Sequence, residues 1–279
     1  MGIVVAGRSE LVSFFAGLDI AKIHFGRRAL MGLKDEYAEW AKSYDSFGSI
    51  TDIYESEKVF LKRIFDKYKI KSALDCACGT GPHLALLSKR GIKVCGSDYS
   101  EAMLNVCNKN LSKSGIKVTT KRADFRYLEK VWNEKFDAVL CMGQSIAHLL
   151  TKEDLITAFK SMLNRLNDSG ILIMTQGTTH LTLQDGFRFD LVVNNKNFSR
   201  ILVRDIENGF QTFNYLEVYH SNKRDKMITH SIRQKIILDD EYRLFLYNAG
   251  FSTVYIYGGF DMALYDKEKS WRLIVVAEK

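Results

Sequence analysis

From Lys71 onward the chain alternates short apolar runs with stretches whose apolar residues recur every three or four positions. Runs at 72–77, 92–97, 116–121, 136–142 and 170–176 have strand length, while 82–90, 100–113 and 151–167 follow helical spacing. In the last of these, Leu155, Ala158, Phe159, Met162, Leu163 and Leu166 share one face. Thr151, with Asp154 three residues on, reads as its capping box. Strands alternating with helices predict a mostly parallel sheet joined by right-handed crossovers. After Gln176 the period changes. Three runs rich in β-branched and aromatic residues fill 198–238, broken at Asn208-Gly209 and at 221–226. Asn-Gly is a strong hairpin signal, so an antiparallel insertion is expected here. A helix over 239–249 and strands at 252–257 and 271–277 complete the pattern.

The predicted organisation is an N-terminal helical extension over 1–40, then one domain over 41–279 with a β insertion at about 190–238. Residues 9–30 read as an amphipathic helix with Arg27 and Arg28 near its end, suited to packing on the domain or on a second copy of the chain. Working translation from Met31 is the alternative, and truncation there is expected to leave ligand binding intact. Asp19 interrupts the one signal-like apolar run, no stretch reaches 18 apolar residues, and Ala6 argues against myristoylation. With 46% hydrophobic residues the chain can bury a full core, which excludes disorder.

The formal net charge of +7 is spread out rather than gathered into a stripe, which disfavours nucleic acid as a partner. The densest basic run, Lys223-Arg224-Asp225-Lys226, reads as a hairpin tip. Cys76, Cys78, Cys95, Cys107 and Cys141 are odd in number and lie in apolar runs, so a reducing, cytoplasmic setting is expected. Cys76 and Cys78 lack a second pair at zinc spacing, and no metal is called for.

The chemistry concentrates in Ala73-Leu74-Asp75-Cys76-Ala77-Cys78-Gly79-Thr80-Gly81-Pro82-His83, an apolar strand entering a glycine turn that opens a helix. Gly79 and Gly81 let a ligand lie on bare backbone, and Pro82, the chain's only proline, stands where a missing N–H costs least. Asp98 ends the next strand, where a carboxylate can accept both hydroxyls of a ribose. A dinucleotide site needs a third glycine, but Leu84 occupies that position. Asp75 would also repel pyrophosphate. A carboxylate there suits a ligand carrying an ammonium or sulfonium group, such as S-adenosylmethionine.

Asp75 to Gly81, Asp98-Tyr99-Ser100 with Met103, and Ala123-Asp124-Phe125 resemble the successive motifs of class I S-adenosylmethionine-dependent methyltransferases. The resemblance runs from about Tyr44 to the end. It implies an α/β Rossmann-like sheet, mostly parallel with an antiparallel last strand, and the β insertion as a lid. It also implies that Asp75, Ala77, Gly79 and Gly81 hold the methionine end, that Asp98 takes the ribose, and that Tyr99 belongs to the same cofactor site. Met103, Asp124 and Phe125 would enclose the adenine, and Met142 would line the site.

Gly143-Gln144-Ser145-Ile146-Ala147-His148-Leu149 resembles the corresponding segment of glycine and sarcosine N-methyltransferases and their amino-sugar relatives, as does Gly258-Gly259-Phe260-Asp261. Two positions depart from that pattern: the substrate-clamping arginine aligns with Gly177, and the loop asparagine is Gln144. The resemblance implies S-adenosylmethionine as donor, S-adenosylhomocysteine as product, and a small-molecule acceptor, foremost an amine nitrogen. An oxygen or carbon acceptor, or a non-catalytic protein that binds the donor, stays open. His148 has three readings: donor contact, general base or structural residue. Gln144 and Ser145 are candidates to bond the acceptor, and Tyr44 to fold over the donor. Phe213, Tyr215 and Tyr219 are candidates for an aromatic face of the lid, while His180, His220 and His230 fit no metal spacing. His220 and His230 are expected at solvated edge positions.

Overall fold

A computed structural model of the chain describes residues 35, 37–45, 55–184, 188–221 and 226–279. They form two compact units, one of Tyr37–Gly186 with Lys235–Lys279 and one built from the strands between. The helix expected over 9–30 and most of the basic hairpin tip lie outside the described residues.

The larger unit is a seven-stranded sheet. Five strands, β1 (Ser72–Asp75), β2 (Lys93–Asp98), β3 (Thr119–Arg122), β4 (Phe136–Cys141) and β5 (Leu166–Gln176), run parallel. The last two, β10 (Thr253–Tyr257) and β11 (Leu273–Glu278), follow, with β11 antiparallel to both β5 and β10. The order is β10-β11-β5-β4-β1-β2-β3, so the chain leaves β1 toward one edge and returns beside it as β4. That reversal opens a crevice at the carboxyl ends of β1 and β4, where open α/β sheets bind ligands.

Alternating residues feed opposite faces. Ala138 and Leu140 pack with α2 (Glu55–Tyr68), α3 (Pro82–Lys89) and α4 (Glu101–Lys113), while Val139 and Cys141 pack with α5 (Lys152–Asn164) and α7 (Asp239–Ala249). A parallel sheet covered on both faces must be apolar throughout. Leu84, at the third-glycine position, fits because its partner is bare: a Cβ on Gly96 would lie 2.5 Å from Leu84 Cδ1. Close helix–strand packing is thus kept by a glycine on β2 rather than on α3.

Several boundaries differ from expectation, among them the start of β3, which is Thr119 rather than 116. β5 begins at Leu166 rather than 170, because Leu166 pairs with Phe136 before the register shifts to Ala138–Ile171. α5 accordingly stops at Asn164. Thr151 caps α5 as predicted, its Oγ1 accepting from Asp154 N at 3.1 Å. The Asp154 carboxylate, however, turns outward and accepts from Arg126 Nη1 at 2.8 Å.

The second unit is a four-stranded sheet in sequence order: β6 (Phe189–Asn195), β7 (Phe198–Glu207), β8 (Phe210–Tyr219) and β9 (Lys226–Lys235). β6 escapes the sequence pattern because it is an edge strand with a register shift between Leu191 and Val193. The β7–β8 turn is the expected hairpin, with φ of 52° at Asn208 and 77° at Gly209. Toward the open end of the hairpin Arg200 and Glu217 pair with both side chains fully buried. The His230 side chain is only 8% exposed and lies 3.8 Å from Glu217, not at a solvated edge. His220 bonds Ser199 Oγ at 2.8 Å.

Candidate active site

β1 delivers Asp75 to the crevice, and the chain then turns through Gly79 and Gly81, whose φ values of 53° and 92° lie where side chains are strained. A Cβ on Gly81 would also meet Cys107 Sγ at 2.6 Å. Gly81 is the N-cap of α3 and Pro82 its first residue, as the sequence predicts. Asp98 at the end of β2 braces the turn: Gly79 N donates to its Oδ2 at 2.8 Å, and Ser100 N donates to its Oδ1 at 2.9 Å.

Asp75 is fully buried. Its Oδ1 accepts from Ala77 N at 3.2 Å, whereas Oδ2 has no hydrogen-bond donor. Burial pushes this carboxyl up to about 6, although His83 and the Ala77 N–H draw it down. An orphaned buried oxygen beside a bare-backbone turn is the arrangement a cationic ligand satisfies.

Met103 closes one wall, its Cε within 3.7 Å of a Cβ placed on Gly79, while Ser100 Oγ accepts from Met103 N and caps α4. Tyr99 lies under the Arg122 guanidinium. Asp124 caps the 3-10 turn Phe125–Lys130, and Arg126 Nε and Nη2 grip its carboxylate. Phe125 is half-buried against the core.

On the other side of the crevice, β4 is followed by buried Met142 and the left-handed pair Gly143 and Gln144. Gln144 Oε1 accepts from Gly177 N at 3.0 Å. The two departures from the N-methyltransferase pattern therefore touch each other, tying the loop after β4 to the loop after β5. Ser145 Oγ donates to Met142 O at 2.8 Å and closes the 3-10 turn Ser145–His148.

His148 Nε2 and Tyr37 Oη are 2.9 Å apart. Burial holds this imidazole down at about 4, so it is neutral at physiological pH and a weak base. Tyr37 also stacks on Trp40 and meets Tyr44 edge-on, centroids 5.6 Å and 6.0 Å apart. Tyr44 sits at the end of α1 (Ala41–Tyr44). The next residue, Asp45, accepts from Asn110 Nδ2 at 2.8 Å, and Asn110 Nδ2 reaches Thr80 O at 3.3 Å. Tyr44 is thus anchored beside the glycine turn and His148.

The structure brings together Asp75, Ala77, Gly79, Gly81, Asp98 and Met103 around one turn, and Tyr44 with His148 beside it. Tyr37, Trp40, Glu57 and the Asp45–Asn110 tie were not picked out from the sequence. The spacing Tyr37, Trp40, Tyr44 is that of one helical face and was the available signal. Glu57 carried none, since its partner His83 is 26 residues away.

Residues 73–170 match the methyltransferase domain family. The chain is 28% identical to the glycine/sarcosine N-methyltransferase of Aphanothece halophytica over 255 residues, 88% of this chain and 91% of that protein. Over 116 residues it is 34% identical to the dTDP-3-amino-3,4,6-trideoxy-alpha-D-glucopyranose N,N-dimethyltransferase of Streptomyces venezuelae, 42% of this chain and 46% of that one. Among solved structures, an S-adenosylmethionine-dependent methyltransferase from Clostridium acetobutylicum superposes with a TM-score of 0.72 at 18% identity, covering 87% of this chain and 98% of that one.

Proposed function

We propose that the chain is a class I S-adenosylmethionine-dependent methyltransferase that methylates an amine nitrogen of a small molecule. The methyltransferase domain match and the glycine/sarcosine N-methyltransferase relative support this reading. The observation that carries the donor half is the orphaned Asp75 oxygen beside the Gly79–Gly81 turn. These residues fit S-adenosylmethionine: Asp75 would hold its ammonium group, the glycine backbone its carboxylate, and Asp98 its ribose. Met103, Asp124 and Phe125 would enclose the adenine with Tyr99 nearby, while Tyr44, Met142 and His148 would line the methyl side. When bound, this donor supplies an electrophilic methyl carbon on a sulfonium.

The chain's own contribution is orientation, holding the nucleophile in line with that carbon. His148 supports an amine over a hydroxyl acceptor. A hydroxyl needs a base, and a buried imidazole held near 4 is poorly matched to that task. A neutral amine already carries its lone pair. The relatives named as glycine/sarcosine and amino-sugar N-methyltransferases support the same choice. Gly177, in place of an arginine, leaves that position without a carboxylate clamp, which favours an acceptor other than glycine. Gln144, anchored to Gly177 N, positions the loop that faces the acceptor.

Mass spectrometry of reactions with methyl-labelled S-adenosylmethionine tests this reading. The panel holds glycine, sarcosine, amino-sugar nucleotides and their hydroxyl counterparts. Label is expected on an amine and not on the matched alcohol; label on the alcohol alone reverses the proposal.

A further inference from the structure

Behind the glycine turn lie three ionisable side chains from three elements, and methyl transfer as described uses only one. Glu57 on α2 meets His83 on α3, with Oε1 3.0 Å from Nε2. The other ring nitrogen, Nδ1, lies 3.8 Å from Asp75 Oδ2, the oxygen that has no hydrogen-bond donor. The Glu57, His83 and Asp75 side chains are 11%, 15% and 1% exposed. At 3.8 Å the contact is too long for a hydrogen bond but close enough for charge attraction.

We propose that Glu57 and His83 form a buried charge relay that keeps Asp75 ionised to receive the donor's ammonium group, making His83 a positioning residue for donor capture. The inference rests on the donor reading above. The arrangement has a physical logic. A buried carboxylate beside a second acid, Asp98, tends to pick up a proton and lose its attraction for a cation. Burial alone would discharge the His83 ring, but the Glu57 hydrogen bond and the Asp75 and Glu57 charges outweigh it and raise its proton affinity. The imidazolium then stabilises the Asp75 carboxylate from behind, leaving Oδ2 otherwise unbonded for the ligand. Asp98 from β2 opposes this, and the neighbouring Cys76 and Cys78 thiols are pushed up and stay neutral.

The test is calorimetric titration of the full chain with S-adenosylhomocysteine from pH 5.0 to 7.5. Over this window the ligand's carboxyl stays ionised and its ammonium largely charged. For the natural protein, affinity is expected to fall below a midpoint near 6, where Asp75 takes up its proton. In His83→Gln, which keeps a bond to Glu57 but carries no charge, the midpoint should rise by about one unit, the size of effect an opposite charge at 4–6 Å exerts. Glu57→Gln removes the anchor and should move it the same way, and the double variant should go no further than His83→Gln. Equal midpoints in all four proteins, even with uniformly weaker binding, overturn the relay and leave His83 structural. Should one variant fail to fold by circular dichroism, the other decides. Absence of binding by the natural protein at pH 7.5 would instead sink the donor reading itself.

Discussion

At the scale of single residues, Asp75 shows function opposing stability. A carboxylate raised to about 6 in the fold from about 4 in the open chain lets the folded state hold its proton longer. Its contribution to stability is therefore full below pH 4 and disappears as pH rises through 6, leaving a cost of about 2–3 kcal/mol at neutral pH. Asp75→Asn is expected to gain about 2–3 kcal/mol in urea denaturation at pH 7.5, because the cost of burying the charge is removed and the value of about 6 already includes the His83 attraction. That gain should vanish at pH 4.5, and S-adenosylhomocysteine binding should fall at least tenfold. A loss of stability at pH 7.5 would mean that the orphaned oxygen is better solvated than its burial implies. The sequence pointed to Asp75 and Asp98 because both acids end apolar strands. It pointed to neither Glu57 nor Tyr37, whose partners His83 and His148 are distant in the chain and joined only by packing.

At the scale of elements, the turn from β1 into α3 is specified twice, by backbone angle and by space. Gly81→Ala must adopt a φ of 92° and place its methyl 2.6 Å from Cys107 Sγ. A cost of about 2–4 kcal/mol is expected, with loss of donor binding. Gly91 separates the two causes: its φ is 78° but nothing lies within 4 Å, so Gly91→Ala should cost only the angular strain, about 1 kcal/mol. Adding Cys107→Ala to Gly81→Ala should recover the difference, and chemical denaturation of the three variants measures it. The helix and strand periods were legible along most of this unit, and α7 spans Asp239–Ala249 as read. β6 was not legible: an edge strand with exposed ends and a register shift carries no clean alternation.

At the scale of the whole molecule, a ligand that binds only the folded chain must stabilise it. S-adenosylhomocysteine at a hundred times its dissociation constant should add about 2.7 kcal/mol. That corresponds to a rise in melting temperature of about 5–10 °C by scanning calorimetry. NADH should give no shift, since Asp75 opposes pyrophosphate and Leu84 stands where a dinucleotide site needs glycine; the reverse pattern would refute the choice of donor. Among the described residues no helix is long and apolar enough to cross a membrane. Local order in the chain was enough to establish the alternation of strands and helices, the glycine turn, the two acids bracketing it and the Asn208-Gly209 hairpin. These depend on backbone angles and on residues close together in sequence. Tertiary structure alone decided that Leu84 nests against Gly96, that Gln144 bonds Gly177, that Tyr37 holds His148 and that His83 links Glu57 to Asp75. All of those contacts except His83 with Asp75 join residues at least a dozen positions apart, and every one depends on strand order and helix packing rather than on any local period.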